Sequence, residues 1–299
     1  MTPPRGLFTG LTTLDLVQRV DRLPGTDGKV QAHSADLAAG GPAANAAVAF
    51  RALGGRSVLL SALGPGPIAR LAADDLHRHG VDVVDTWQSG GGDLSISAIT
   101  VLDGTGERSV VSRNAEGMAA AAPDTDALVA SADVLLVDGH HPVLALAAAR
   151  SAHRTGVPVV LDCGSERPVF AELAPLAATA VCSACFTVEG AAGFDAVATG
   201  LLRGGTGMVA MSDGAHPVRW RTRRAAGSVE VPRAAVRDTL GAGDVLHGAL
   251  AFAWACGVHD PQRSLRFAVA VAAVRVEHAG PRAWTFDARL GRLVREELR

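Results

Sequence analysis

From Asp133 onward the chain alternates short apolar runs with segments of helical period. This alternation restricts its fold more than any other feature. Strands are predicted at 134–137, 157–161, 180–182 and 208–211, with helices at 142–153, 173–177 and 194–203. Such a succession closes as an α/β, doubly wound, mostly parallel sheet with right-handed crossovers. In open sheets of this kind, ligands bind beyond the carboxyl ends of the strands.

The first half is less regular. Residues 7–20 read as a strand, a short loop and a second extended run. A strand at 57–63, a helix at 68–79 and a strand at 81–85 follow, and Gly90-Gly91-Gly92 reads as a hinge. Extended runs at 95–102 and 108–112 flank Asp103-Gly104-Thr105-Gly106, a hairpin signal. Together with 13–20 and 28–37 they predict a small β-sheet lid, within about 13–37 and 92–113. Two further extended runs, 218–222 and 228–231, precede closing helices at 261–277 and 287–298. With no repeat or low-complexity linker, 1–299 is expected to be one domain.

Composition excludes several classes. The net charge of −2 without a basic run argues against a nucleic-acid partner. No uninterrupted apolar stretch spans a membrane, and Met-Thr-Pro-Pro-Arg-Gly begins no secretory signal, so a cytoplasmic protein is expected. The sole lysine is Lys29, which fits neither a P-loop nor a protein-kinase strand. Any phosphate chemistry must therefore use backbone dipoles, a metal and arginine. Cys182-Ser183-Ala184-Cys185 has no second C-x-x-C to complete a zinc site and is read as core.

The stretch that offers phosphate chemistry is Asp238-Thr239-Leu240-Gly241-Ala242-Gly243-Asp244, followed by an apolar helix. Small residues at a helix entrance let an anion approach N–H groups that lack internal partners. Gly241, Ala242 and Gly243 are thus a candidate anion hole. A carboxylate beside bound phosphate is repelled by it, so Asp244 is read as the base for an attacking hydroxyl. Further candidates stand beyond other strands. Asp15 is placed to accept hydrogen bonds from substrate hydroxyls, and Asn45, after Gly40-Gly41, offers a polyol both donors and acceptors. Asp162 is the candidate magnesium contact, and Arg113 the candidate partner for an anionic group on the substrate. The adjacent His140 and His141 lack the partners of a zinc site.

Asp238 to Gly248 resembles the second signature of the ribokinase-like (PfkB) carbohydrate kinases, D-T-x-G-A-G-D-x-F-x-G, with Leu246 in place of Phe. Gly40-Gly41-Pro42-Ala43-Ala44-Asn45 resembles the first signature, in the family's order. The resemblance implies a ribokinase-like three-layer fold with a lid, and a homodimer formed through that lid. It implies Asp244 as catalytic base, and a substrate held by Asp15, Gly40, Gly41 and Asn45. It implies ATP and Mg2+, with room for a monovalent cation. ATP contacts fall at Ser212, Gly214, Thr239, Gly241, Gly243 and Gly280. Two departures stand out: Pro217 replaces a glycine along the nucleotide, and Ser183-Ala184-Cys185-Phe186 replaces the N-x-x-E that organises magnesium. Asp162-Cys163-Gly164-Ser165, Cys182-Ser183 and Ala279-Gly280-Pro281-Arg282-Ala283-Trp284 are most similar to the ketohexokinase and sulfofructose-kinase branch.

The expected reaction is ATP-dependent phosphorylation of a primary hydroxyl on a ketose or sugar acid. A nucleoside kinase of the same fold is the alternative within the class, although 4% aromatic content offers little for base stacking. A non-catalytic sugar sensor is the alternative outside it, and a C-x-x-C redox protein is a more distant one.

Overall fold

The computed structural model describes residues 2–88, 92–121 and 123–298. The chain opens with β1 (Arg5–Thr9), β2 (Thr13–Val20), β3 (Ser34–Gly40), α1 (Pro42–Ala52), β4 (Arg56–Ser61), α2 (Pro67–Arg78) and β5 (Val81–Asp85). Then come β6 (Ile96–Leu102), β7 (Arg108–Val111), α3 (Asp126–Ala130), β8 (Val134–Val137), α4 (Pro142–Thr155), β9 (Val159–Cys163) and α5 (Phe170–Leu173). The remainder is β10 (Thr179–Ser183), β11 (Thr187–Val188), β12 (Ala191–Ala192), α6 (Phe194–Arg203), β13 (Met208–Asp213), β14 (His216–Thr222), β15 (Ala226–Val229), α7 (Ala242–Ala255), α8 (Pro261–Val276) and α9 (Ala288–Glu297).

Among the described residues, nine strands form the main sheet, in the order β15-β14-β13-β10-β9-β8-β1-β4-β5. It is parallel from β13 to β5, and antiparallel only at the β14–β15 edge. A central parallel strand is covered on both faces and so reads as a continuous apolar run. In β8 all four residues are buried. Val134 and Leu136 join one core cluster, with Phe50 of α1 and Phe252 of α7, while Leu135 and Val137 join the other, with Ala145 of α4 and Leu201 of α6. The result is three layers, with α1, α7 and α8 on one face and α4 and α6 on the other.

The lid is a four-stranded sheet, β3-β2-β6-β7. Strand β6 pairs parallel with β2, so the lid is mixed rather than a simple meander. Period-2 alternation divides its two faces. Asp15 and Val17 turn inward, and Val17 packs with Ile99, Val101 and the partly buried Leu240 just before α7. On the outer face Leu37, Leu16, Ala98 and Val111 lie in one cross-strand row, and Val111 is 74% exposed.

Some boundaries differ from the sequence reading. The expected run at 28–37 begins only at Ser34, after a turn in which Gly28 N–H bonds the Gly25 carbonyl. The short helix at 173–177 starts earlier, at Phe170, and ends in a 3-10 turn. Helix α3 and the β11–β12 ribbon were not anticipated; at five and two residues they are too short to show a period. Of the hinge glycines, Gly90 and Gly91 lie outside the described residues, while Gly92 donates to the Gly117 carbonyl. Among the described residues no helix is long and apolar enough to cross a membrane.

Candidate active site

The loop entering α7 is held by Asp238, whose side chain is fully buried. Its Oδ1 accepts from Leu240 N–H (2.9 Å) and its Oδ2 from Gly280 N–H (3.1 Å). Arg19 of β2 and Arg275 of α8 each stand 3.5 Å from Oδ2. A buried charge needs such partners. Asp238 therefore fastens the lid strand and α8 to the loop. Burial pulls the Arg275 guanidinium below its usual range, against the opposing pull of Asp238. Thr239 reinforces the join: its hydroxyl donates to the Gly106 carbonyl (2.8 Å) in the lid turn and accepts from Arg108 Nη1 of β7 (3.0 Å).

Gly241 then takes φ +70°, a left-handed conformation that a side chain disfavours, and begins α7. Ala242 N–H bonds the Thr239 carbonyl at 3.3 Å. The N–H groups of Gly243 and Asp244 have no backbone partner among the described residues, and a Cβ at Gly243 would meet open space. Of the three anion-hole candidates, Gly243 is thus the most open. Such a helix mouth carries partial positive charge and is accessible to phosphate.

Asp244 lies in the first turn of α7, partly exposed, and its Oδ2 accepts from Asn45 Nδ2 of α1 at 2.8 Å. Asn45 Oδ1 accepts from Arg282 Nη1 at 3.0 Å. Asp15, from the inner face of the lid, borders the same cavity as Asn45, Gly241 and Arg282. That cavity holds about 20 Å3, room for a water rather than a sugar. Burial pushes the Asp15 carboxyl above its ordinary value, against the Thr13 hydroxyl at 2.6 Å and the charge of Arg282. Gly40 makes this possible, since a Cβ there would collide with the Asp15 carboxylate. Gly41 is the N-cap of α1.

Two more acids stand at the carboxyl ends of strands. Asp138 Oδ2 accepts from Leu11 N–H (2.8 Å) and Ala43 N–H (3.2 Å), and Oδ1 from His140 N–H (3.0 Å). Burial acts to raise this carboxyl, but the His140 side chain and the backbone donors bring it down to about 2. Asp138 thereby ties the loop after β1 to the start of α1. Asp162 is buried with Oδ2 3.2 Å from His247 Nδ1. His247 Nε2 stands 3.2 Å from the Val181 carbonyl, so the ring lies between Asp162 and β10. Burial pushes Asp162 up to about 6, with His247 pulling down and Asp244 and Asp138 pushing further up.

The remaining candidates are placed as follows. Arg113 is exposed and donates to the Glu116 carbonyl (3.4 Å); the guanidinium beside Asn45 belongs to Arg282. Ser212 and Gly214 lie at the β13–β14 turn, on the ligand edge of the sheet. Gly280 gives its N–H to Asp238, and Thr239 gives its hydroxyl to the lid turn. Asp162 faces an imidazole rather than the open cleft. Among the described residues no group of three or more His, Cys, Asp or Glu is placed to hold a metal ion. Cys182 is buried beside Cys163 across the β9–β10 pair, Cys185 is exposed, and all four cysteines are free. Sequence reasoning missed Arg282, Arg108 and His247 as site neighbours. Only their nearness to recognised motifs marks them, because their partners are far away in the chain.

The pattern of the pfkB family carbohydrate kinases matches residues 7–287. The chain belongs to that family. The resemblance read from the two motifs holds across nearly the whole chain. This PfkB chain is 32% identical over 161 residues to the ATP-dependent ribose-1-phosphate kinase of Halopiger xanaduensis, covering 54% of each. It is 34% identical over 106 residues to ketohexokinase of Mus musculus, covering 35% of each. The chain thus spans about half the length of the first curated relative and about a third of the second. A crystal structure from Agrobacterium tumefaciens, assigned provisionally as a ribokinase, superposes with a TM-score of 0.84 at 27% identity, covering 95% of this chain and 94% of the other. The three-layer fold with a small lid sheet is the one those motifs led us to expect.

Proposed function

We propose that this PfkB chain transfers the γ-phosphoryl group of ATP to a primary hydroxyl of a small sugar or sugar derivative, with Asp244 as general base. The observation that carries the reading is the placement of Asp244. Its carboxylate stands at an open helix mouth, held by Asn45, beside a lid-covered cavity bordered by Asp15. The family match and the kinases among its relatives support the same chemistry.

In this mechanism the terminal phosphates lie on the N–H groups at the start of α7. Asp15 and Asn45 orient the sugar. Asn45 engages Oδ2 of Asp244, so Oδ1 is the atom that takes the hydroxyl proton. The hydroxyl oxygen attacks the γ-phosphorus in line, the bond to the β–γ bridging oxygen breaks, and ADP leaves. Magnesium has no protein cage among the described residues. When bound with the nucleotide, the ion would neutralise charge on the phosphates. The lid lifts to admit the sugar and closes again to exclude water. We further propose that two lids pair through the apolar row Leu37–Leu16–Ala98–Val111, giving a homodimer.

The test is an ADP-release assay with D-fructose, D-ribose, ribose 1-phosphate and adenosine, on wild type and Asp244→Asn. Turnover with a sugar, reduced about 10³-fold or more in the variant, supports the reading. Near-normal turnover by Asp244→Asn removes Asp244 from the chemistry. Preference for adenosine moves the enzyme to the nucleoside kinases. Sugar binding by calorimetry without ADP release makes it a sensor.

A further inference from the structure

Arg282 sits in the loop between α8 and α9, with its side chain 12% exposed. Nothing in the mechanism above uses it, yet its guanidinium makes three directed bonds. Nε donates to Asp75 Oδ2 of α2 (3.1 Å), Nη1 to Asn45 Oδ1 of α1 (3.0 Å), and Nη2 to the Ala39 carbonyl of β3. Asp75 Oδ2 also accepts from Ala39 N–H (3.0 Å). Both backbone groups of Ala39, at the root of the lid, are therefore held by the Asp75–Arg282 pair.

Asn45 is the link to the base. A guanidinium carries only donors, so the Asn45 atom facing Arg282 must be the oxygen. The amide nitrogen is then forced toward Asp244, where it donates to Oδ2 at 2.8 Å. Turning the amide over would set N–H against N–H at Arg282 and oxygen against oxygen at Asp244. The forked, planar guanidinium reaches three acceptors in fixed directions, which an ammonium cannot do. Asp75 keeps that fork in place. Burial acts to raise its carboxyl, but the His79 hydrogen bond, the Arg282 charge and the Ala39 N–H bring it down to about 2.

We propose that Arg282 is a positioning residue that locks Asn45 in the one orientation that leaves Asp244 Oδ1 free for the substrate hydroxyl, and that it makes this orientation depend on the lid root at Ala39. The proposal rests on Asp244 being the base. When the lid strand β3 shifts at Ala39, the guanidinium shifts with it, and the restraint on Asn45 loosens. The base is therefore aligned when the lid is down. Arg282 does not touch the reacting atoms, so its loss alters turnover rather than ATP binding.

The experiment compares wild type, Arg282→Ala, Arg282→Lys and Asp244→Asn, using whichever of D-fructose, D-ribose and ribose 1-phosphate the wild type turns over fastest. Crystal structures of wild type and the Arg282 variants are determined in parallel. The expected result is a fall in kcat of about 10²-fold in Arg282→Ala, because misplacing a catalytic group by about 1 Å costs that much. The KM for ATP should stay within about threefold. Added methylguanidinium should restore at least a tenth of the wild-type kcat, and methylammonium should not. Arg282→Lys keeps a charge for Asp75 but has no fork. It should behave like the alanine variant, and it serves as the test if that variant fails to fold. In the crystals, Asn45 Nδ2 should leave Asp244 Oδ2, to beyond 3.5 Å. Two results would overturn the proposal: wild-type kcat in either Arg282 variant while Asp244→Asn is inactive, or an Asn45–Asp244 contact unchanged at 2.8 Å in the variant crystals. Full activity in Asp244→Asn would instead overturn the base assignment itself, a distinguishable failure.

Discussion

Asn45 and Asp244 lie 199 residues apart in the chain and 2.8 Å apart in the fold, joined Nδ2 to Oδ2. The contact is made where α1 and α7 pack together at the ligand edge of the sheet, and it brings the two sequence motifs to one point. The amide engages one carboxylate oxygen of Asp244 and leaves the other free of that bond.

Replacing that amide by a second acid tests the relationship. In Asn45→Asp two carboxylates face each other where one donor and one acceptor stood, and like charges at that range hold one group protonated. The new acid also pairs with Arg282 in place of the amide oxygen. Turnover is expected to fall by about 10²-fold or more, with the loss smallest at alkaline pH, where both acids ionise. A pH–kcat profile for wild type and variant checks this.

Arg19 supplies a different kind of link. It stands 3.5 Å from the buried Asp238 and bonds Asp103 (2.6 Å) and the Arg237 carbonyl (3.1 Å). Arg19→Met leaves Asp238 with Arg275 as its remaining charge partner. Breaking a buried pair in this way is expected to cost about 3 kcal/mol. Urea unfolding of the two proteins at pH 7.5 measures the difference.

Asp162 carries a pH signature. Its folded-state value, about 6, lies above the ordinary carboxyl value of 3.8 because burial disfavours the charge. The folded protein therefore binds the proton more tightly than the unfolded chain. This contribution is fully present below about pH 4 and is lost as pH rises through 6. Relative to Asp162→Asn, wild type is expected to lose stability as pH rises from about 4 through 6, and to change no further above that window. Unfolding midpoints of both proteins across pH 4–8 test the sign directly.

The outer lid row predicts an oligomer. Val111 is 74% exposed and Leu37 is 56% exposed, on strands at opposite edges of the lid. Val111→Asp places a charge at one end of that apolar row. Sedimentation velocity is expected to show a dimer for wild type and a monomer for the variant. A monomeric wild type at micromolar concentration would end the pairing proposal.

Much of this molecule was legible in the chain itself. Core strands such as β8 read clearly because a strand buried on both faces must be apolar at every position. The run from Asp238 to Gly248 read clearly because a left-handed Gly241, an open Gly243 and a first-turn acid are local requirements of one helix entrance. Local sterics and burial leave their marks within a few residues, so the sequence alone determined the layered fold, the helix mouth and the acid standing in it. Partner choice leaves no such mark. Arg113 looked like the substrate's guanidinium, but Arg282 is the one bonded to Asn45, across 237 residues; Asp162 looked open to magnesium, but packing turned it to His247. Only the tertiary structure decided those pairings, because a hydrogen bond between distant segments depends on where two helices and a lid strand come to rest, and no residue spacing records that.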